Sequence, residues 1–92
     1  VETARQSIAI TNQRGLHARA SAKFVAAVAK LPPDATVTVV KDGNEAAGGS
    51  ILGLMMLGAA KGDTIEITVT GEDAEAWLGK LVGLVMDGFG ED

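Results

Sequence analysis

Between Thr64 and Thr70 the chain alternates without interruption, with Ile65, Ile67 and Val69 on one side and Glu66 and Thr68 on the other. Period-two alternation predicts a strand with one face in a core and the other in water. This constrains the fold strongly, because strands covered by helices on both faces of a parallel sheet read as continuous apolar runs. The other strand candidates obey the same rule. Gln6 to Thr11 alternates through Ile8 and Ile10, and Thr36 to Lys41 through Val37 and Val39. Asp42-Gly43 is a tight hairpin signal, so Asn44 to Ala47 is expected to return antiparallel to the strand before it.

Three stretches read as helix. From Ala18 to Lys30 the apolar residues Phe24, Val28 and Leu31 recur at helical spacing, and Leu31-Pro32-Pro33-Asp34 ends the pattern. Gly48-Gly49-Ser50 forms a loop ending in an N-cap serine, followed by a short helix from Ile51 to Leu57 that Gly58 stops. Asp73 is expected to cap a last helix whose stripe is Ala74, Leu78, Leu81 and Val85, with Trp77 beside it. Gly79 and Gly83 within that helix are expected to permit close packing on the sheet, at a cost of about 1 kcal/mol each relative to alanine. The order β-α-β-β-α-β-α predicts an α+β open-faced β-sandwich, a four-stranded antiparallel sheet with three helices on one face.

Ninety-two residues suffice for one domain, spanning 1–92, and Leu, Ile, Val and Phe make up about a quarter of them, too many for a disordered chain. The longest apolar run, Ile51 to Ala60, is half of what a membrane span requires, so no membrane insertion is expected. With no secretory signal and no cysteine, a cytoplasmic location is expected, without disulfides or thiolate metal sites. A net charge of −4 argues against nucleic acid as a partner. The charge is unevenly spread. Arg5, Arg14, Arg19, Lys23 and Lys30 make residues 1–31 basic, whereas residues 71–92 hold six acids against Lys80. The basic end suits an anionic group or acidic partner, and the acidic end is expected to repel both.

His17, the only histidine, falls where Gly15-Leu16 ends a loop and Ala18-Arg19 opens the first helix. A lone histidine in a small domain is most often a surface residue or a satisfied cap. Position favours more. The first amides of a helix are unpaired and the macrodipole is positive there, which disfavours imidazolium and leaves a ring nitrogen able to attack phosphorus. The N–H groups of Ala18 and Arg19 can then receive phosphoryl oxygens, and the Arg19 guanidinium can pair two of them. A helix terminus contributes ~0.3–2 kcal/mol and a charged hydrogen bond roughly 1.5–3 kcal/mol, enough to tune a phosphohistidine without trapping it. That balance suits a carrier better than an enzyme, for which a chain with one histidine, no cysteine and no tyrosine offers little second acid or base.

Gly15-Leu16-His17-Ala18-Arg19, continued by Ala20-Ser21-Ala22-Lys23-Phe24-Val25, resembles the active-site signature of the histidine-containing phosphocarrier (HPr) family of the phosphotransferase system. Gly49-Ser50-Ile51-Leu52-Gly53-Leu54-Met55-Met56-Leu57-Gly58 resembles the family's second signature. The likeness covers nearly the whole chain, and the two motifs at this spacing are together a specific signal. It implies that His17 accepts a phosphoryl group from phosphorylated enzyme I, with Arg19 as electrostatic partner, and passes it to an enzyme IIA. It also implies Ser50 as a regulatory site for a serine kinase and phosphorylase, a monomeric chain, and no metal or bound cofactor. Two departures stand out. Ala20 replaces the family's usual proline, and Ala26 and Ala29 stand where sugar-transport members often carry lysine, which points toward the nitrogen-related branch.

A serine ahead of an apolar run is most simply an N-cap, worth about 0.5–2 kcal/mol without any kinase. A phosphate there would add roughly −1.5 to −2 charge at the positive end of a helix, so its effect is expected on docking rather than on folding. Ile51, Leu52, Leu54, Met55, Met56 and Leu57 surround this short helix, and a helix lying on a sheet buries only one face. Leu54 and Leu57 are assigned to the core. Ile51, Leu52 and Met55, with Ala22 on the first helix, are assigned to partner docking, the methionines adding adaptability. Gly48-Gly49 lacks the pattern of a nucleotide-binding loop. The alternative from another class is a regulatory docking module of the same fold acting through the Ser50 helix; a small catalytic domain is the remaining option.

Overall fold

The alternating segment lies at the centre of the sheet. The computed structural model describes residues 1–91. Its elements are β1 (Glu2–Ala9), α1 (Ala18–Val28), β2 (Thr36–Lys41), β3 (Asn44–Ala47), α2 (Ile51–Met56), β4 (Thr64–Gly71) and α3 (Ala74–Met86), followed by a 3-10 turn at Gly88–Gly90. The sheet order is β1-β4-β2-β3, and every neighbouring pair is antiparallel. β4 is thus hydrogen-bonded on both sides. Its inward row faces matching rows on its neighbours: Ile65 stands opposite Ile8, Ile67 opposite Val39, and Val69 opposite Val37. Ile65, Ile67 and Val69 are fully buried, and the helices cover them with Phe24 from α1, Leu54 from α2, and Leu78, Leu81 and Val85 from α3. The outward row, Glu66, Thr68 and Thr70, stays only partly covered, as a one-sided sheet requires.

Local chemistry accounts for most boundaries. Asp42 and Gly43 both take positive φ, 50° and 80°, the turn that matches the twist of a two-residue hairpin. Ser50 caps α2, its Oγ accepting the Gly53 N–H at 2.9 Å. α1 ends at Val28 rather than Lys30, because the chain tightens into shorter turns, with the Lys30 N–H on the Ala27 carbonyl and the Leu31 N–H on the Val28 carbonyl, before Pro32.

Three expectations fail for physical reasons. β1 starts at Glu2, four residues before the alternation begins, because it is an edge strand made by pairing with β4 rather than by burial. Its opening Glu-Thr-Ala-Arg therefore carries no apolar period. Asp73 stands at the N-cap of α3 but takes a left-handed φ of 57° and makes no side-chain cap; instead its N–H donates to a Glu2 carboxylate oxygen at 3.0 Å. Gly79 and Gly83 do not pack on the sheet. Both lie on the exposed side of α3, where an added Cβ would meet nothing within 4 Å, while Ala74, Leu78, Leu81, Val82 and Val85 form the buried stripe.

Residues 88–91, to which the sequence assigned no structure, form a strap. Phe89 is buried in the core at 1% exposure, reached through a run of positive φ at Gly88, Phe89 and Gly90. Its carbonyl accepts the Lys23 Nζ of α1 at 2.7 Å, which fastens the strap across the start of that helix.

Two glycine substitutions should move stability in opposite directions. Gly79→Ala and Gly83→Ala, each filling open space on a helix, should stabilise by about 0.8–1 kcal/mol apiece. Gly15→Ala should destabilise by about 2 kcal/mol or more, since Gly15 has φ +62° and its Cβ would stand 2.2 Å from the Ala59 carbonyl oxygen. Thermal melts should show a rise of about 4–8 °C for each helix variant and a fall of roughly 10 °C for the loop variant.

Candidate functional site

The loop before His17 is fixed by its backbone. The buried Asn12 donates from Nδ2 to the Gly15 carbonyl at 2.9 Å, and the Gly15 N–H returns to the Asn12 carbonyl at 3.3 Å. The Leu16 N–H reaches the Ala59 carbonyl at 2.9 Å, an approach that leaves no room for a side chain at Gly15. From below, the fully buried Ser21 donates its hydroxyl to the Leu16 carbonyl at 3.2 Å. Four bonds thus set where α1 begins, and His17 is the residue at its cap.

His17 is itself the N-cap of α1, extended at φ −75° and ψ −179°. Its Nδ1 accepts the Arg19 N–H at 3.3 Å. Its Nε2 stands 2.5 Å from Oε2 of Glu91, both side chains being about one-sixth exposed. The two partners fix the tautomer. A backbone N–H can only donate and an ionised carboxylate can only accept, so Nδ1 presents its lone pair and Nε2 carries the hydrogen. Glu91 is held in turn by Asn12, whose Nδ2 donates to Oε1 at 3.0 Å. This amide, followed by the His17 contact and the Lys23 charge, holds the Glu91 carboxyl below the ordinary glutamate range against a smaller opposing effect of burial, so it is ionised at neutral pH.

The residues expected from sequence fall into two groups. His17 and the amides of Ala18 and Arg19 meet at one helix start, with the Ala18 N–H unpaired among the described residues and the Arg19 N–H on the ring. The Arg19 side chain is exposed and makes no ion pair among the described residues. The charged group at the ring is instead a carboxylate from the acidic end, which the charge distribution had set apart from any anion site. Ser50 lies at the start of α2, and no hydrogen bond joins it to His17 among the described residues.

α2 packs against α1, burying Leu54 and Leu57 and leaving Ile51, Leu52, Met55 and Met56 as exposed apolar side chains. Ala22 on α1 is exposed as well. Met56, at 77%, is the most exposed of the α2 set and was not singled out by its spacing. Among the described residues no helix is long and apolar enough to cross a membrane.

Asn12, Lys23 and Glu91 were missed as site residues by sequence reasoning. Lys23 read as part of a charge balance. Glu91 is 74 residues from His17 in sequence, and no local pattern joins them.

Comparison with known proteins gives one answer. Residues 4–87 match the family described as the PTS HPr component phosphorylation site. The chain is 44% identical over 87 residues to phosphocarrier protein HPr of Neisseria meningitidis, covering 95% of this chain and 96% of that one. It is 38% identical over 91 residues to phosphocarrier protein NPr of Escherichia coli, covering 98% and 99%. The crystal structure of HPr-C-His from Thermoanaerobacter tengcongensis superimposes with a TM-score of 0.89 at 35% identity, over 97% of this chain and 98% of that one. With the fold, the histidine-capped helix and these relatives in agreement, the chain belongs to the HPr family of phosphotransferase-system phosphocarriers.

Proposed function

We propose that His17 accepts a phosphoryl group from phosphorylated enzyme I, ultimately from phosphoenolpyruvate, and passes it to an enzyme IIA. The observation that carries this reading is the orientation of the ring: Nε2 is occupied by Glu91, whereas Nδ1 holds a lone pair at the opening of α1. Nδ1 is therefore the attacking atom. As phosphorus binds there, the Arg19 N–H exchanges its 3.3 Å bond to nitrogen for one to a phosphoryl oxygen, and the Ala18 N–H supplies a second. The exposed Arg19 guanidinium is free to swing in and pair the remaining oxygens. Amides, helix dipole and guanidinium together stabilise the anion by a few kcal/mol, which allows both loading and release. No cofactor or metal takes part, and the chain acts as a cytoplasmic monomeric carrier, one unit over residues 1–92, rather than as an enzyme.

Partners dock on Ala22 of α1 and on Ile51, Leu52 and Met55 of α2, exposed apolar side chains on two helices that pack together. Ser50 opens the second of these helices, so a phosphate placed on it by a serine kinase would add charge to the docking surface without breaking the helix. The same exposed row favours the second reading, a regulatory docking module in which the Ser50 helix recruits a partner independently of His17.

Two variants separate these readings. His17→Ala should abolish formation of an acid-labile phosphoimidazole, followed by phosphorus NMR with phosphoenolpyruvate and the cognate enzyme I, while partner binding persists. Ser50→Asp should leave the melting temperature unchanged, because aspartate caps a helix as well as serine does. It should nevertheless lower kcat/KM for phosphorylation by enzyme I by about tenfold, through the charge it brings to the docking surface. A His17→Ala chain still phosphorylated on a nitrogen would exclude His17 as the acceptor.

A further inference from the structure

A cleft of about 250 Å³ lies where α1 closes against α3, at the opposite end of α1 from His17. Two trios of side chains at spacings i, i+3 and i+4 build it: Ala27, Lys30 and Leu31 from the end of α1 and the turn after it, and Trp77, Lys80 and Leu81 from α3. Leu81 is buried, while Trp77 and Leu31 are half-buried and form open walls. Trp77 is the only tryptophan, both phenylalanines are sealed in the core, and there is no tyrosine. The one large aromatic side chain within reach of solvent therefore stands in this cleft.

The charges here have a single sign. Lys30 and Lys80 line the cleft, and no carboxylate does. Neither lysine makes an ion pair among the described residues. No acid stands three or four residues from Lys80 on α3, where a helix would offer it a partner. Its ammonium lies instead over the Trp77 ring, 4.9 Å from the centre, an attraction that leaves the charge unneutralised. In a chain of net charge −4, these two cations flank an apolar cleft.

We propose that this cleft binds a small aromatic carboxylate, a body of one or two rings bearing one anionic group. The rings lie against Trp77 and the leucines, and the carboxylate turns toward Lys30 and Lys80. Ligand clefts usually run from roughly 300 Å³ upward, so this one accepts only a compact body. A long acyl chain would outrun it, and a neutral ring would leave both ammonium groups without a partner. A planar body matches the indole. The lysine stems extend the apolar wall while their charges stay at the water's edge. The eleven residues of α1 separate the cleft from His17 by roughly 16 Å, so a ligand there leaves the imidazole uncovered.

The test titrates the full nitrogen-15-labelled chain with naphthoate and, separately, with neutral naphthylmethanol at low salt. The single indole N–H signal reports on Trp77 directly. Naphthoate should shift it saturably, together with the amides of Lys30 and Leu31, and should bind about fivefold tighter than the alcohol. Lys30→Gln combined with Lys80→Gln should remove that advantage, and so should added salt. Ala27→Leu, which fills the cleft, should weaken both ligands; if it does not fold, the exposed lysine variants keep the test decisive. Equal affinity for naphthoate and alcohol overturns the proposal. So does a Trp77 signal that stays still at millimolar naphthoate, or shifts confined to Ile51–Met56, which would put the ligand on α2. None of these outcomes bears on His17, whose phosphorylation is measured separately.

Discussion

β4 is hydrogen-bonded along both of its edges, and that double pairing is the constraint from which the rest of the molecule follows. It fixes the register of β1 and β2, so that Ile8, Ile65, Ile67, Val37 and Val39 form one apolar field. Helices can land only on that side, since the other carries Glu66, Thr68 and Thr70. α1 and α3 settle on the field, and the loop between β1 and α1 is drawn over the connection that leads into β4. The Leu16 N–H to Ala59 carbonyl bond is that crossing point, and it delivers His17 to the surface at a fixed height above the sheet. The position of the ring is thus a property of sheet register as much as of its own loop.

Legibility from sequence followed the range of the interactions. Elements made by local chemistry could be read directly: the Asp42-Gly43 hairpin, the Ser50 cap, and the helical spacing of Phe24 against its neighbours. His17 at a helix start was equally legible, because Gly15 and the following run mark the boundary without reference to any other part of the chain. Gly79 and Gly83 were misread because a glycine in a helix tells only that a side chain is missing. Whether the space beyond is filled depends on which way the helix is rotated, and α3 turns both toward solvent. The first residues of β1 were invisible for the opposite reason, since pairing at an edge leaves no mark on side-chain polarity.

The largest omission was the strap. Gly-Phe-Gly offers no period and its flanks are acidic, so nothing local indicates that Phe89 enters the core or that Glu91 ends beside a histidine near the other end of the chain. Charge arithmetic pointed away from it, because a sum over residues 71–92 treats Glu91 as one more solvated acid. What the sum omits is direction. The Glu91 carboxylate meets the ring at Nε2, while the start of α1 meets it at Nδ1 through the Arg19 N–H. A carboxylate and a helix amide can share one ring because the imidazole separates them.

The distance in sequence between the two sides of this site has a consequence for the order in which the protein comes into being. A ribosome makes the chain from its amino end, so Asn12 and His17 emerge long before Glu91. Until Phe89 is available to fill its place in the core, the imidazole has its amide partner but no carboxylate, and its tautomer is not set. The ring's surroundings are therefore complete only when the strap is in place, and a chain still being synthesised carries its histidine without the alignment of the finished molecule.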